Sequence, residues 1–181
     1  MISVNSRILF VRFAKPVICL IGFSLACQAC KVYSFKDVSI PPEVKTIRIG
    51  FIENRARYVD PQLSPQLTDK FKQKISNQTK LTQVQTDADY DVSAYVAEYN
   101  VTTAGVANQA ASINRLIVTV HLALKNRLND QKLGTPDFET DITHNFDFPA
   151  TSNLTDAEAT LTPQIVQQMT DDMFNRLFSN W

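Results

Sequence analysis

The cleanest alternation of apolar and polar positions in the chain lies between Ile113 and Asn126. Leu116, Val118, Val120, Leu122 and Leu124 fall on one parity, and Arg115, Thr119, His121 and Lys125 on the other. Period two over that length predicts a half-buried strand. A one-residue slip would turn five aliphatic side chains outward, so the register is strongly specified. Tyr90 to Val101 reads as a second long strand, with Tyr90, Val92, Ala94 and Val96 on one face and Asp91, Ser93, Tyr95 and Tyr99 on the other. A third occupies Val44 to Ile52, where Ile47, Ile49 and Phe51 alternate with Arg48 and Gly50. Leu81 to Val84 is a short strand at most. Phe138, Ile142, Phe146 and Phe148 alternate with Glu139, Asp141, Asn145 and Asp147 in the last one.

Two stretches carry helical spacing instead. Leu63, Leu67, Phe71 and Ile75 recur every fourth residue, with Asp69, Lys70, Lys72 and Lys74 on the wet side. Ser64-Pro65 supplies a cap and a first-turn proline, and the helix stops near Asn77 or Gln78. Thr155-Asp156-Ala157-Glu158 is a capping box for the second helix. Pro163 either kinks that helix or, with Thr162, marks its true start. From there Ile165, Met169, Met173 and Leu177, flanked by Val166, Phe174 and Phe178, run nearly to Trp181. Between strands, Thr102 to Ser112 is an alanine-rich hairpin loop. Leu128 to Thr135 is a turn carrying Asn129-Asp130 and Gly134. The order of elements predicts an α+β two-layer sandwich, two helices packed on one face of a mixed four-stranded sheet.

The amino-terminal part departs from these periods. Arg7, Arg12 and Lys15, with no acidic residue, precede the apolar run Pro16 to Ala26. A positive start, a short greasy core and small residues before a cut make a secretory signal. Eleven residues fall short of the about 20 that span a bilayer. Cys27 and Cys30 both sit where the cut falls, each preceded by a small residue and neither by an aliphatic residue at the third position back. A cut at Cys30 would divide the chain into a signal at residues 1–29, an extended lead at 30–43 ending in Pro41-Pro42, and one domain at 44–181. Acyl chains on such a cysteine change the physics. A single chain binds marginally at about 0.8 kcal/mol per buried CH₂. Three long chains bury on the order of 40 such groups, roughly 30 kcal/mol, a permanent tether.

Eighteen basic and 18 acidic residues balance in the full chain. Removing the signal takes away three basic residues and leaves the remainder acidic. Nucleic-acid binding wants a basic stripe, and none is present. With Cys19 and Cys27 removed alongside the signal, a cut at Cys30 leaves the domain without a disulfide, so its core must hold it. The chain has no G-x-S-x-G elbow, P-loop, H-E-x-x-H or dinucleotide fingerprint. His121 and His144 fall on opposite faces by parity, so no shared metal site is expected. Asp171-Asp172 and Asp87/Asp89/Asp91 read as structural carboxylates. No catalytic residue, metal or cofactor is assigned, and an enzyme is not expected. Arg55 and Arg57, in the loop before the first helix, are candidates to hold phosphate or carboxylate by bidentate contacts.

The segments Cys30-Lys31-Val32-Tyr33-Ser34-Phe35 and Ser39-Ile40-Pro41-Pro42-Glu43-Val44 carry a resemblance. So do Asn54-Arg55-Ala56, Asn114-Arg115-Leu116-Ile117-Val118-Thr119-Val120 and the closing Met173 to Trp181. Together they resemble, in order, the LptE-like lipopolysaccharide-assembly lipoproteins. Lys31 stands where a glycine is usual there. The resemblance implies two helices on a four-stranded sheet, as the periodicity does, and favours Cys30 over Cys27 as the lipidated residue. It implies a lipoprotein on the periplasmic face of the outer membrane, anchored by N-acyl and S-diacylglycerol groups on Cys30. There it would help assemble, and plug, an LptD-like β-barrel translocon that delivers lipopolysaccharide to the cell surface. Arg55, Arg57 and Arg115 are then the candidates for glycolipid contact. The alternative is a lipid-anchored periplasmic protein that binds a small or apolar ligand without a barrel partner.

Intact mass spectrometry of the protein recovered from membranes tests the anchor: the expected species begins at Cys30 and carries three acyl chains. A soluble product with a bare amino terminus overturns the assignment.

Overall fold

The computed structural model describes residues 40–104, 113–128, 130 and 132–179, all within the unit Lys36–Trp181. The signal, Cys27, Cys30, most of the lead, the tip of the hairpin loop (105–112), Asn129 and Trp181 lie outside the described residues.

The elements run β1 (Thr46–Ile49), β2 (Glu53–Asn54), α1 (Leu63–Gln78), β3 (Thr82–Gln83), β4 (Tyr90–Thr103), β5 (Ile113–Asn126), β6 (Phe138–Pro149) and α2 (Leu154–Phe178). The sheet order is β3-β1-β4-β5-β6, with β2 also pairing with β4. β1 and β2 lie parallel to β4, β3 parallel to β1, and β4, β5 and β6 are antiparallel. The sheet is mixed, as expected, but has six strands rather than four. The two additions are two-residue pieces that carry no periodic pattern. The expected strand over Val44–Ile52 is divided: the ladder closes with the Gly50 N–H donating to the Val92 carbonyl at 3.0 Å, and pairing with β4 resumes at Glu53.

Both helices cover one face. Leu67, Phe71 and Ile75 of α1 and Ile165, Met169 and Met173 of α2 close over Ile47, Val92, Val96, Leu116, Val118, Val120, Leu122 and Leu124, all buried. Burying a side chain of this kind contributes roughly 1.5–3 kcal/mol, so this layer dominates the stability.

Three local expectations are corrected. Tyr99 is not on the polar face with Tyr95. Val96 pairs with Val120 but Glu98 with Thr119, so Ala97 is an extra, bulged residue and parity reverses beyond it. Tyr99 thus enters the core and is 3% exposed. Ser64 does not cap α1. The helix begins at Leu63, its entry is held by Asp60 Oδ1 accepting from the Gln62 N–H at 2.8 Å, and the Ser64 hydroxyl is buried with no partner among the described residues. For α2 the cap is Asn153 rather than Thr155. Its Oδ1 accepts from the Asp156 N–H at 2.8 Å, and one continuous helix runs through Pro163.

Two devices fix the strand ends. Asp89 accepts the Lys45 and Thr46 N–H groups at 2.8 Å each and so pins the start of β1 to that of β4. Burial would raise this carboxyl, but the backbone donors outweigh it and hold it below the ordinary value. Gly134, at φ +100°, lets the β5–β6 connection pass so close to Tyr90 that a Cβ would sit 2.7 Å from its hydroxyl. That hydroxyl accepts the Thr135 N–H at 2.7 Å.

The bulge makes a clear test, because simple alternation treats Tyr95 and Tyr99 alike. Tyr99→Ala is expected to cost about 3–5 kcal/mol, as for a buried aromatic. Tyr95→Ala should cost about 1 kcal/mol. Denaturant unfolding of the two variants measures the difference.

Candidate functional site

With both helices on one side, the other face of the sheet is bare among the described residues. Its side chains come from the odd positions of β5 and β6, from Asp91, Ser93 and Tyr95 of β4, and, beyond the bulge, from Glu98, Asn100 and Thr102. Cross-strand register arranges them in rows: Arg48–Asp91–Lys125, Tyr95–His121–Asp141, Glu98–Thr119–Thr143 and Thr102–Arg115–Asp147.

The first row is a charge cluster. Arg48 Nε and Nη2 donate to the two oxygens of Asp91 at 2.8 Å each. Arg127 Nε and Nη2 donate to Asp91 Oδ2 at 3.1 and 2.7 Å. The Asp91 side chain is 7% exposed while its arginine partners remain about half exposed. Burial would raise the carboxyl, but the two guanidiniums more than offset it and hold it below the ordinary range. Beside the cluster lies a cleft of about 240 Å³ that also meets Asp87.

The second row is a stack of planar groups. Arg55 Cζ lies 4.4 Å from the centroid of the Tyr95 ring, which stacks on His121 at 4.9 Å. Arg55 Nε also donates to Glu53 at 3.0 Å, and His121 Nδ1 lies 2.7 Å from Asp141. In the last row Arg115 makes a bidentate pair with Asp147 at 2.7 and 2.9 Å. The hydrogen bonds from Arg115 hold the Asp147 carboxyl below its ordinary value.

The three arginines singled out in the sequence therefore do not form one site. Arg55 lies over the open sheet face and Arg57 is exposed in the following loop. Arg115 is six residues along β5 from His121, about 20 Å away at strand rise. Sequence reasoning did not assign Arg48, Tyr95, His121 and Arg127 to a common surface. Parity gave the face of Tyr95 and His121, but only the pairing of β1 with β4 and of β4 with β5 brings these groups together.

His144 lies on the helix-covered face and meets Asp172 of α2. Asp171 accepts from Lys74 of α1 at 2.7 Å. The paired carboxylates of α2 thus bind the helices to each other and to β6. Asp89 and Asp91 likewise hold strands. Among the described residues no group of three or more His, Cys, Asp or Glu side chains is placed to hold a metal, and no helix is long and apolar enough to cross a membrane. A mixed groove of about 560 Å³ lies between Ile40, Pro41, Pro42 and Val44 on one side and Leu81 on the other, with Lys45, Lys80 and other polar residues on its walls.

Such a domain, two helices behind a mixed sheet whose other face carries paired charges and stacked rings, is a two-layer α+β module. The family model for lipopolysaccharide assembly, LptE, matches residues 44–177, and the chain belongs to that family. No curated protein matches the chain. Among solved structures it is similar to a hypothetical protein of Chlamydia trachomatis (9% identity, 76% of this chain and 99% of that one, TM-score 0.50). It is similar also to a Xanthomonas campestris protein (14% identity, 75% and 85%, TM-score 0.49). A third is the rare lipoprotein B of Shewanella oneidensis (14% identity, 72% and 89%, TM-score 0.42).

Asp91→Asn tests the charge cluster. It is expected to lose about 1–3 kcal/mol at pH 7, as for a buried charged hydrogen-bonding group. Because the folded carboxyl titrates below its unfolded value, its contribution is full above about pH 4 and lost as pH falls through the folded value. Unfolding curves of wild type and variant should therefore converge in acid.

Proposed function

We propose that the protein is an outer-membrane lipoprotein that helps assemble, and plugs, the β-barrel translocon carrying lipopolysaccharide to the cell surface. The family match over residues 44–177 supports lipopolysaccharide assembly. The observation that carries the finer reading is the bare sheet face. It is polar and charge-paired yet rigidly backed by the helix layer, which suits a body seated in a water-filled lumen against polar walls. Covalent N-acyl and S-diacylglycerol groups on Cys30 would hold it to the inner leaflet, with no other cofactor. Function then rests on fit and requires no bond-breaking residue. Arg55, Arg57 and Arg115 are the candidates for glycolipid phosphate. Being spread over about 20 Å, they suit a ligand passing along the face better than one held at a point.

A second reading, a lipid-anchored binding protein for a small apolar ligand, is favoured by the groove at Ile40, Pro42 and Leu81.

Mild-detergent pull-down through a tagged copy separates the two. The expected result is a large outer-membrane β-barrel in near-stoichiometric amount, and lipopolysaccharide retained internally when the protein is depleted. Recovery with no barrel, and with a small apolar molecule bound, would favour the second reading instead.

A further inference from the structure

β6 is the outermost strand of the sheet and is twelve residues long. Its outer edge is unpaired among the described residues. Which of its backbone groups face outward follows from the bonds at the two ends of β5. The Ala104 N–H donates to the Ile113 carbonyl and the Arg127 N–H to the Asp89 carbonyl. Odd-numbered residues of β5 therefore bond to β4, and the even-numbered ones to β6. Their β6 partners are likewise even-numbered, from Phe148 opposite Asn114 to Phe138 opposite Leu124. That leaves the N–H and C=O groups of Glu139, Asp141, Thr143, Asn145 and Asp147 directed away from the sheet. Native sheets usually shorten, bulge or cover such an edge, or blunt it with charges and Pro. Among the described residues β6 is neither bulged nor covered, and before the terminal Pro149 only the acidic Glu139, Asp141 and Asp147 blunt it.

The two sides of the edge differ in chemistry. On the bare face stand Glu139, Asp141 and Asp147, an acidic row in which Asp141 meets His121 and Asp147 is paired with Arg115. On the helix side Phe138 and Ile142 are only partly buried, whereas their β5 partners Leu124 and Val120 are closed off at 1% and 0% exposure. Along this side the half-buried row is Phe138, Thr140, Ile142 and His144, with Arg176 of α2 over the Phe138 ring, and the helix layer closes fully only over Phe146 and Phe148.

We propose that the β6 edge receives a β-strand from a partner protein, one that alternates basic residues on the bare face with apolar residues on the helix side. Main-chain bonds would supply affinity and the alternation would supply specificity. A second copy of this chain is a poor occupant. Any such pairing brings two acidic edges together with no added base, and the one centred on Thr143 sets Glu139 directly opposite Asp147, which is destabilising. The inference goes beyond the function proposed above, since it concerns an edge and a strand polarity that hold whether or not the partner is a barrel.

Residue-resolved amide exchange on the full chain tests it, with a nine-residue peptide alternating lysine and valine as the probe. In the free chain the amides of 139, 141, 143, 145 and 147 should exchange fast and those of 140, 142, 144 and 146 slowly. With the peptide, all five outward amides should slow by about tenfold or more. A peptide alternating glutamate and valine, and one with the same lysines clustered at one end, should change nothing. Asn145→Pro removes an outward N–H without touching the β5 ladder. It should weaken peptide binding by up to about tenfold, the loss of one charge-free hydrogen bond, while the melting temperature is held. Slow outward amides in the free chain would overturn the proposal, since the edge would then be covered from within. So would an equal response to all three peptides, or a dimer that Asn145→Pro abolishes. None of these readouts involves the barrel, so their failure leaves the proposed function standing.

Discussion

The architecture depends on the register of β5. Leu116, Val118, Val120, Leu122 and Leu124 are all at 0–1% exposure, each between a residue of β4 and one of β6. Displacing the strand by one residue would exchange them for a row that includes Arg115, Thr119 and His121. At roughly 1.5–3 kcal/mol each, that loss is on the order of 10 kcal/mol, comparable with the whole stability of a domain this size. The position of everything on the bare face follows. Arg115, Thr119 and His121 are held there because their alternate neighbours cannot leave the core.

How much of this was legible in the sequence depends on whether an element is built by local or distant pairing. β5, β6 and both helices were readable because their periods run for three turns or more. β2 and β3, at two residues each, have no period at all. They exist only because β4 and β1 offer them edges. Tyr99 shows a subtler limit. Alternation assumes one residue per rung, and a single bulged alanine reverses the parity of all that follows. The caps failed for a different reason. Ser64 and Thr155 are good capping residues in the abstract, but Asp60 and Asn153 lie nearby and are better placed by the incoming chain.

The candidate site was legible only residue by residue. Arg55 and Arg115 were visible as cations, yet their settings differ. One guanidinium lies over an aromatic ring, and the other is occupied by a bidentate carboxylate. Nothing local to Arg48 or Arg127 marks them as partners, since they stand 79 positions apart in the chain and meet only at Asp91. The bare face is therefore a property of the assembled sheet. The same holds for the carboxylates of α2, which look like an ordinary wet arc until Lys74 and His144 arrive from other elements.

Pro163 sits inside a 25-residue helix and cannot donate to the Ala159 carbonyl, so the ladder of α2 has a missing rung there. One residue earlier, the Thr162 hydroxyl donates to Asp60 Oδ2 at 3.1 Å, while the other oxygen of Asp60 holds the entry to α1. The opening turns of α2 thus lean on a neighbouring loop where their own helix gives least support. They carry Glu158, on which the Tyr58 and Tyr99 hydroxyls converge. Through Tyr99 and Asp60 the weakest rung of the helix is thereby tied to the sheet and to the entry of α1, so disturbing one of the three disturbs the others.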